Sequence, residues 1–205
     1  DVNIMSLGEY WSNWRAEDFL LFVKVGTGIG SGIVTHGHVH RGADGAAGDI
    51  GHIHVPDHDD VVCRCGNLGC LEAIAGGAAL AAGLRELGLD TPTGRDVVAQ
   101  VLHGQHDAVR LIRQAGHAIG GVLATCVNML NPAVVVIGGD MAAAGEPLLA
   151  GIREAVYRRS LPLATGSLRI VPSELGDEAG ITGAAVMVIE TILAPAAVDA
   201  LVSAI

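Results

Sequence analysis

His52 and the run Cys63-Arg64-Cys65-Gly66-Asn67-Leu68-Gly69-Cys70-Leu71-Glu72 hold three of the four cysteines of a 205-residue chain. The spacing is His-x10-Cys-x-Cys-x4-Cys. One imidazole and three thiolates make a complete tetrahedral set for a structural zinc, with no position left for water. Arg64, Gly66, Asn67 and Gly69 are turn residues that let the backbone fold around an ion. The competing readings are a reduced cysteine cluster or a disulfide. Cys63 and Cys65 are too close to pair comfortably, and a disulfide leaves odd thiols, because Cys126 lies far off in an apolar segment. Glu72 follows the last ligand by two residues, so a clamped loop would also aim its carboxylate.

Outward from this hook, the pattern alternates. Asp1 to about Trp14 reads as a helix, and Phe19–Val25 as a buried strand. Gly26-Thr27-Gly28-Ile29-Gly30-Ser31-Gly32 reads as the tip of a hairpin whose second strand is Ile33–Thr35. A glycine-rich loop spans 41–51, and Ile53–Val55 is a short strand. Helices are expected over Leu71–Leu87, from an N-cap at Thr93 to Leu102, and over Asp107–Leu130. The strand Ala133–Ile137 turns at Gly138-Gly139-Asp140. A helix Glu146–Arg159, a strand Leu168–Val171 and helices Asp177–Leu193 and Pro195–Ala204 follow. Hairpin strands first and alternating helices and strands later predict an α/β domain, a mixed sheet flanked by helices.

The formal charge of −10, with only twelve scattered Lys and Arg, argues against a nucleic-acid surface on this chain. No apolar run reaches membrane-spanning length. Clustered free thiols with zinc spacing suit a cytoplasmic protein. The first residue is Asp1, which is expected of a fragment or a processed chain.

The remaining candidate chemistry lies in three segments. The glycine turn, with Thr27 and Ser31, can bring backbone N–H groups to an anion; it lacks the Walker ending and no helix follows it. Gly138-Gly139 closes a strand where ligands gather in open α/β sheets, or simply makes a turn. Asp49 and Glu72, with the second nitrogen of His52, can accept and donate hydrogen bonds to a polyol; the plain alternative is a turn residue and a helix-opening acid.

These segments together resemble the ROK family (repressors, open reading frames and sugar kinases). The resemblance is carried by Val25–Ile33, by Arg41-Gly42 with Gly45–His52, by Cys63–Glu72, by Val136–Gly139 and by Gly176–Ala185, in family order over almost the whole chain. It implies the C-terminal lobe of an actin-like, RNase H-like (ASKHA) fold over residues 1–205, with the N-terminal lobe and any DNA-binding domain absent from this chain. By resemblance, Asp1, Asn3, Asp49, His52 and Glu72 match sugar-contacting positions. Thr27, Gly28 and Gly138 match nucleotide-contacting positions, and His52, Cys63, Cys65 and Cys70 match the zinc ligands. Asp1 would be the general base of a kinase that also uses ATP and magnesium. The family's kinases usually show Glu at Asp49 and tend to end before the last helix here. The expectation is therefore the sugar-sensing effector domain of a ROK regulator that forms a dimer, reaching DNA only through another domain; the alternative is the lobe of a glucokinase-like enzyme.

Overall fold

The computed structural model describes residues 1–203; Ala204 and Ile205, the expected end of the last helix and of the 1–205 lobe, lie outside the described residues. Five strands form one mixed sheet in the order β3-β2-β1-β4-β5. They are β1 Phe19–Val25, β2 Ile29–Thr35, β3 His38–His40, β4 Val134–Gly138 and β5 Arg169–Pro172. The first three are antiparallel neighbours, while β4 runs parallel to β1 and β5 parallel to β4. The helices are α1 Val2–Asn13, α2 Leu71–Ala75, α3 Gly77–Glu86, α4 Gly94–Leu102, α5 His106–Leu130, α6 Glu146–Arg159, α7 Pro162–Thr165, α8 Ala179–Ile192 and α9 Pro195–Ser203.

The unbroken apolar run of β1 is explained by burial on both faces. Leu21, Val23 and Val25 join the larger core with α3–α6, and Leu20 and Phe22 join a smaller one with Val134, Val136 and Tyr10 of α1. Fully burying one such side chain contributes roughly 1.5–3 kcal/mol, so the central strands are a substantial part of the domain's stability. α5 is held at its start by Gln105, whose side chain accepts from the Ala108 amide, and ends where Asn131 turns left-handed at φ 47.

Three boundaries differ from the sequence reading. β2 begins at Ile29, four residues early, so Gly30, Ser31 and Gly32 are strand rather than tip. Gly32 is there for closeness to α1: a Cβ would lie 2.5 Å from Ser6 Oγ and 3.0 Å from the Val2 carbonyl oxygen. The helix read over Leu71–Leu87 is broken at Gly76, which is extended at ψ 155. The restart lets the Gly77 and Ala78 amides donate to the carbonyls of Gly26 and Thr27, at 2.7 and 3.2 Å. Ile53–Val55 is no strand, only a bridge between His54 and Cys70. The histidines His38 and His40 fall on β3 and are exposed.

Candidate functional site

The carboxyl ends of β1 and β4, the N-terminus of α1 and the hook meet along one edge of the sheet. Ser31 donates to the Gly48 carbonyl through its amide (2.8 Å) and its hydroxyl (2.7 Å), holding the glycine-rich loop against β2. A single 3-10 turn, Ile50–His52, then delivers His52 to the hook. Cys70 is the N-cap of α2, which places Glu72 in its first turn.

His52, Cys63, Cys65 and Cys70 present ligand atoms that all lie within 4.8 Å of one another. His52 Nδ1 is 3.6 Å from Cys63 Sγ, and Cys65 Sγ is 3.7 Å from Cys70 Sγ. Tetrahedral zinc with bonds of about 2.0 Å to nitrogen and about 2.3 Å to sulfur spans ligand edges of about 3.5–3.8 Å. The donor set therefore fits such an ion in kind and in spacing. All four cysteines of the chain are free thiols, and Cys126 is buried in α5. Desolvation, reinforced by the neighbouring thiols, pushes the Cys70 thiol up to about 12, whereas the Asn67 backbone amide lowers that of Cys65. A cation is the ordinary means of holding three thiolates together against that opposition.

Glu72 is held twice. Its Oε1 accepts from Arg64 Nη2 at 2.8 Å and its Oε2 from the Ile29 amide at 3.3 Å. Arg64 stands between two candidate ligands, so the hook aims the carboxylate through a guanidinium as well as through the chain; the sequence reading treated Arg64 only as a turn residue. Gly28 leaves room for it, since a Cβ there would displace the Glu72 carboxylate. His52 Nε2, turned from the thiols, lies 4.0 Å from Asp49 Oδ1.

The candidate residues occupy three adjoining cavities. Asp1, Thr27, Gly28 and Glu72 line one of about 380 Å³ with Lys24 and Asp140. Asn3 and Asp49 line a smaller one of about 180 Å³, which shares Val2 and Gly30 with the first. The Asn3 side-chain oxygen is buried without a protein partner. Gly138 lines a third cavity of about 440 Å³ with Gly139, Ser173, Gly176 and Asp177, joined to the first by Asp140. His52 lines none of the three; it backs Asp49.

Two further groups shape the third cavity and escaped the sequence reading. Arg95, at the start of α4, donates to Asp140 Oδ1 through Nε (3.3 Å) and Nη2 (3.1 Å). Glu9 of α1 is wholly buried; its Oε1 accepts from the Ser173 hydroxyl and from the Leu175 amide at 3.0 Å, while Oε2 has no partner. One helix thus carries Asn3 at the smaller cavity and the anchor of the loop at the third.

The model of the ROK family matches residues 1–191. The chain is 36% identical over 208 residues to a putative xylose repressor of Caldicellulosiruptor sp., covering 95% of this chain and 52% of that protein. It is 32% identical over 207 residues to the glucokinase of Thermotoga maritima, covering 94% and 65%. Among solved structures, a ROK family transcriptional regulator, homolog of the E. coli MLC protein, superposes with a TM-score of 0.81 at 30% identity, covering 91% of this chain and 50% of that one. The chain spans about half the length of the repressor and regulator it matches. The mixed sheet flanked by helices is accordingly the expected actin-like fold with its Cys/His cluster. No helix among the described residues is long and apolar enough to cross a membrane. Repressors and sugar kinases alike are its relatives, and the chain belongs to the ROK family.

Proposed function

We propose that this chain is the sugar-binding effector lobe of a ROK transcriptional regulator, stapled by a structural zinc on His52, Cys63, Cys65 and Cys70. The observation that carries the reading is Asn3: a buried acceptor without a protein donor, in a cavity shared with the Asp49 carboxylate. A buried unpaired polar atom costs about 1–3 kcal/mol, and a hydroxyl-bearing ligand relieves that cost. Asp1 and Glu72 in the adjoining cavity accept further hydroxyls, and His52 Nε2 backs the Asp49 carboxylate. The metal supplies fixed geometry, and Arg64 passes it on to Glu72.

A regulator is favoured over a kinase by two features: Asp49, a methylene shorter than the glutamate usual in the family's kinases, and α9, which lies beyond the matched residues 1–191. Sugar biases the equilibrium between lobe arrangements, or the geometry of a homodimer, only by its difference in affinity for the two states. A cytoplasmic protein that reads this bias out through a separate DNA-binding domain completes the proposal. The kinase is the second reading, favoured by Asp1 lining the same cavity as Thr27, Gly28 and Glu72. There Asp1 would take the proton of the sugar hydroxyl, Thr27, Gly28 and Gly138 would hold ATP with magnesium, and catalysis would need both lobes.

The test is calorimetric titration of the intact protein with hexoses, pentoses and N-acetylhexosamines, beside a coupled assay with ATP. Saturable binding without turnover, weakened at least about tenfold by Asn3→Ala, is expected. Sugar-dependent ATP consumption would replace the regulator with the kinase, and no response to any sugar would defeat both.

A further inference from the structure

Cys65 is the exposed sulfur of the hook; Cys63 is 4% exposed and Cys70 1%. The Sγ atoms of Cys65 and Cys70 lie 3.7 Å apart. Cys63 Sγ faces His52 Nδ1 at 3.6 Å, and only Arg64 separates Cys63 from Cys65 in the chain, too little backbone for those two to pair comfortably. Cys126 is buried in α5, outside the cluster. The hook thus holds one sulfur that solvent reaches and, beside it, one buried sulfur that can pair with it. That is the arrangement of an oxidation-sensitive thiol with its resolving partner. Both sulfurs also adjoin what aims Glu72. Cys70 is the N-cap of α2, whose first turn carries Glu72, and Cys65 follows Arg64, which donates to Glu72 Oε1.

We propose that Cys65 and Cys70 form an oxidative modification site, at which a hydroperoxide converts the two thiolates to a disulfide and the hook gives up its ion. The Cys65 thiolate attacks one peroxide oxygen; the O–O bond breaks, a sulfenic acid forms and hydroxide leaves. The Cys70 thiolate then attacks the Cys65 sulfur, and the S–O bond breaks to release a second hydroxide. The two sulfurs lose two electrons, the peroxide gains them, and the two negative charges leave with the hydroxides. The sulfurs close from 3.7 Å to a bond of about 2.0 Å. His52 and Cys63 remain as two ligands, fewer than a structural zinc takes. The release rests on the zinc reading of the cluster and the effect on Glu72 on the carbohydrate reading of the cleft; the pairing rests on neither.

The experiment treats the intact, reduced, zinc-loaded protein with graded hydrogen peroxide. It follows thiol pairing by peptide mass mapping, zinc by a colorimetric chelator and sugar affinity by calorimetry. The expected result is a disulfide mapped to Cys65 and Cys70, zinc released in equal amount and Cys126 untouched. The affinity for any sugar that the reduced protein binds should fall about three- to tenfold, and dithiothreitol with zinc should restore it. Cys63→Ser should still form the disulfide, and Cys65→Ser should not. Thiols that stay reduced, pairing through Cys63, oxidation of Cys65 without a disulfide, or zinc retained once the disulfide has formed overturns the inference. A sugar affinity unchanged by the disulfide overturns its link to the cleft. Protein that holds no zinc when reduced, yet forms the same disulfide, upholds the modification site and defeats the zinc reading. Reduced protein that binds no sugar defeats the carbohydrate reading, while the disulfide map still decides the inference.

Discussion

Glu72 and Glu9 are both carboxylates fixed by two donors, yet the means of fixing them are opposite. Glu72 sits on an exposed hook whose own apolar side chains, Val62 and Leu68, face solvent, and it is paired with Arg64, which stands between two of the four candidate ligands. Glu9 sits on a helix packed between the sheet and α8, where Gly8 and Gly183 bring the two backbones so close that a Cβ on either would clash with the other helix. One acid is placed by an exposed guanidinium beside a Cys/His cluster that could hold a metal, the other by burial. If a metal holds the hook, as proposed, the first arrangement should come apart while the core stays folded, and the second should not.

The largest test of this contrast is removal of the ligand set. Cys70→Ser, or chelation, is expected to lower stability by more than about 3 kcal/mol in urea unfolding. Hydrogen exchange over residues 53–70 should become fast while the amides of β1 and β4 stay protected. A hook that stays protected without its ligands would show that packing holds it after all.

Next in size is Glu9→Ala, which leaves the partly buried Ser173 hydroxyl and Leu175 amide without their acceptor and opens space where Glu9 was wholly buried. A loss of about 2–4 kcal/mol is expected, with faster exchange over 173–177, while Glu9→Gln, which keeps the accepting oxygen, should recover most of it. The hook should keep its metal in both variants. Equal effects from Ala and Gln would mean that the charge, rather than the hydrogen bonds, anchors the loop.

The same contrast governs what could be read before any coordinates. The hook was legible because its ligands lie within nineteen positions, from His52 to Cys70, and because residue chemistry alone sets the preferred ion. The strands β1 and β4 were legible because both faces are covered, which leaves an unbroken apolar run. Glu9 was not, because its partners Ser173 and Leu175 are 164 and 166 positions away. Arg64 pairs across only eight positions, but an exposed arginine in a turn carries no pattern. The early start of β2 and the break at Gly76 were missed for one reason: glycines that serve close approach of a neighbouring segment look the same as glycines that serve a turn.

Arg64→Met probes the bridge between hook and cleft with a smaller effect. Arg64 is exposed, so the pair itself should contribute little to stability. Glu72 keeps its bond from the Ile29 amide but loses one of its two orienting donors. Metal content by elemental analysis should be unchanged, and sugar affinity should fall about three- to tenfold. An unchanged affinity would show that the metal loop positions Glu72 through the backbone alone.

The smallest effect belongs to a third carboxylate, placed neither by metal nor by burial. Asp96 accepts from the amide (2.8 Å) and the hydroxyl (2.6 Å) of Thr93, closing a capping box at the start of α4. These bonds, the hydroxyl first, lower its pKa below the ordinary carboxylate range. A depressed folded-state pKa means a contribution present above the unfolded value of about 3.9 and lost as pH falls through the lower folded value. Asp96→Ala should therefore shift the urea midpoint slightly downward at pH 7, and the difference from the parent should shrink through pH 4 towards pH 2. Removing the metal should leave this shift untouched, because α4 caps itself from residues three apart. A dependence on the metal would mean that hook and core are coupled more tightly than the separate fixing of Glu72 and Glu9 allows.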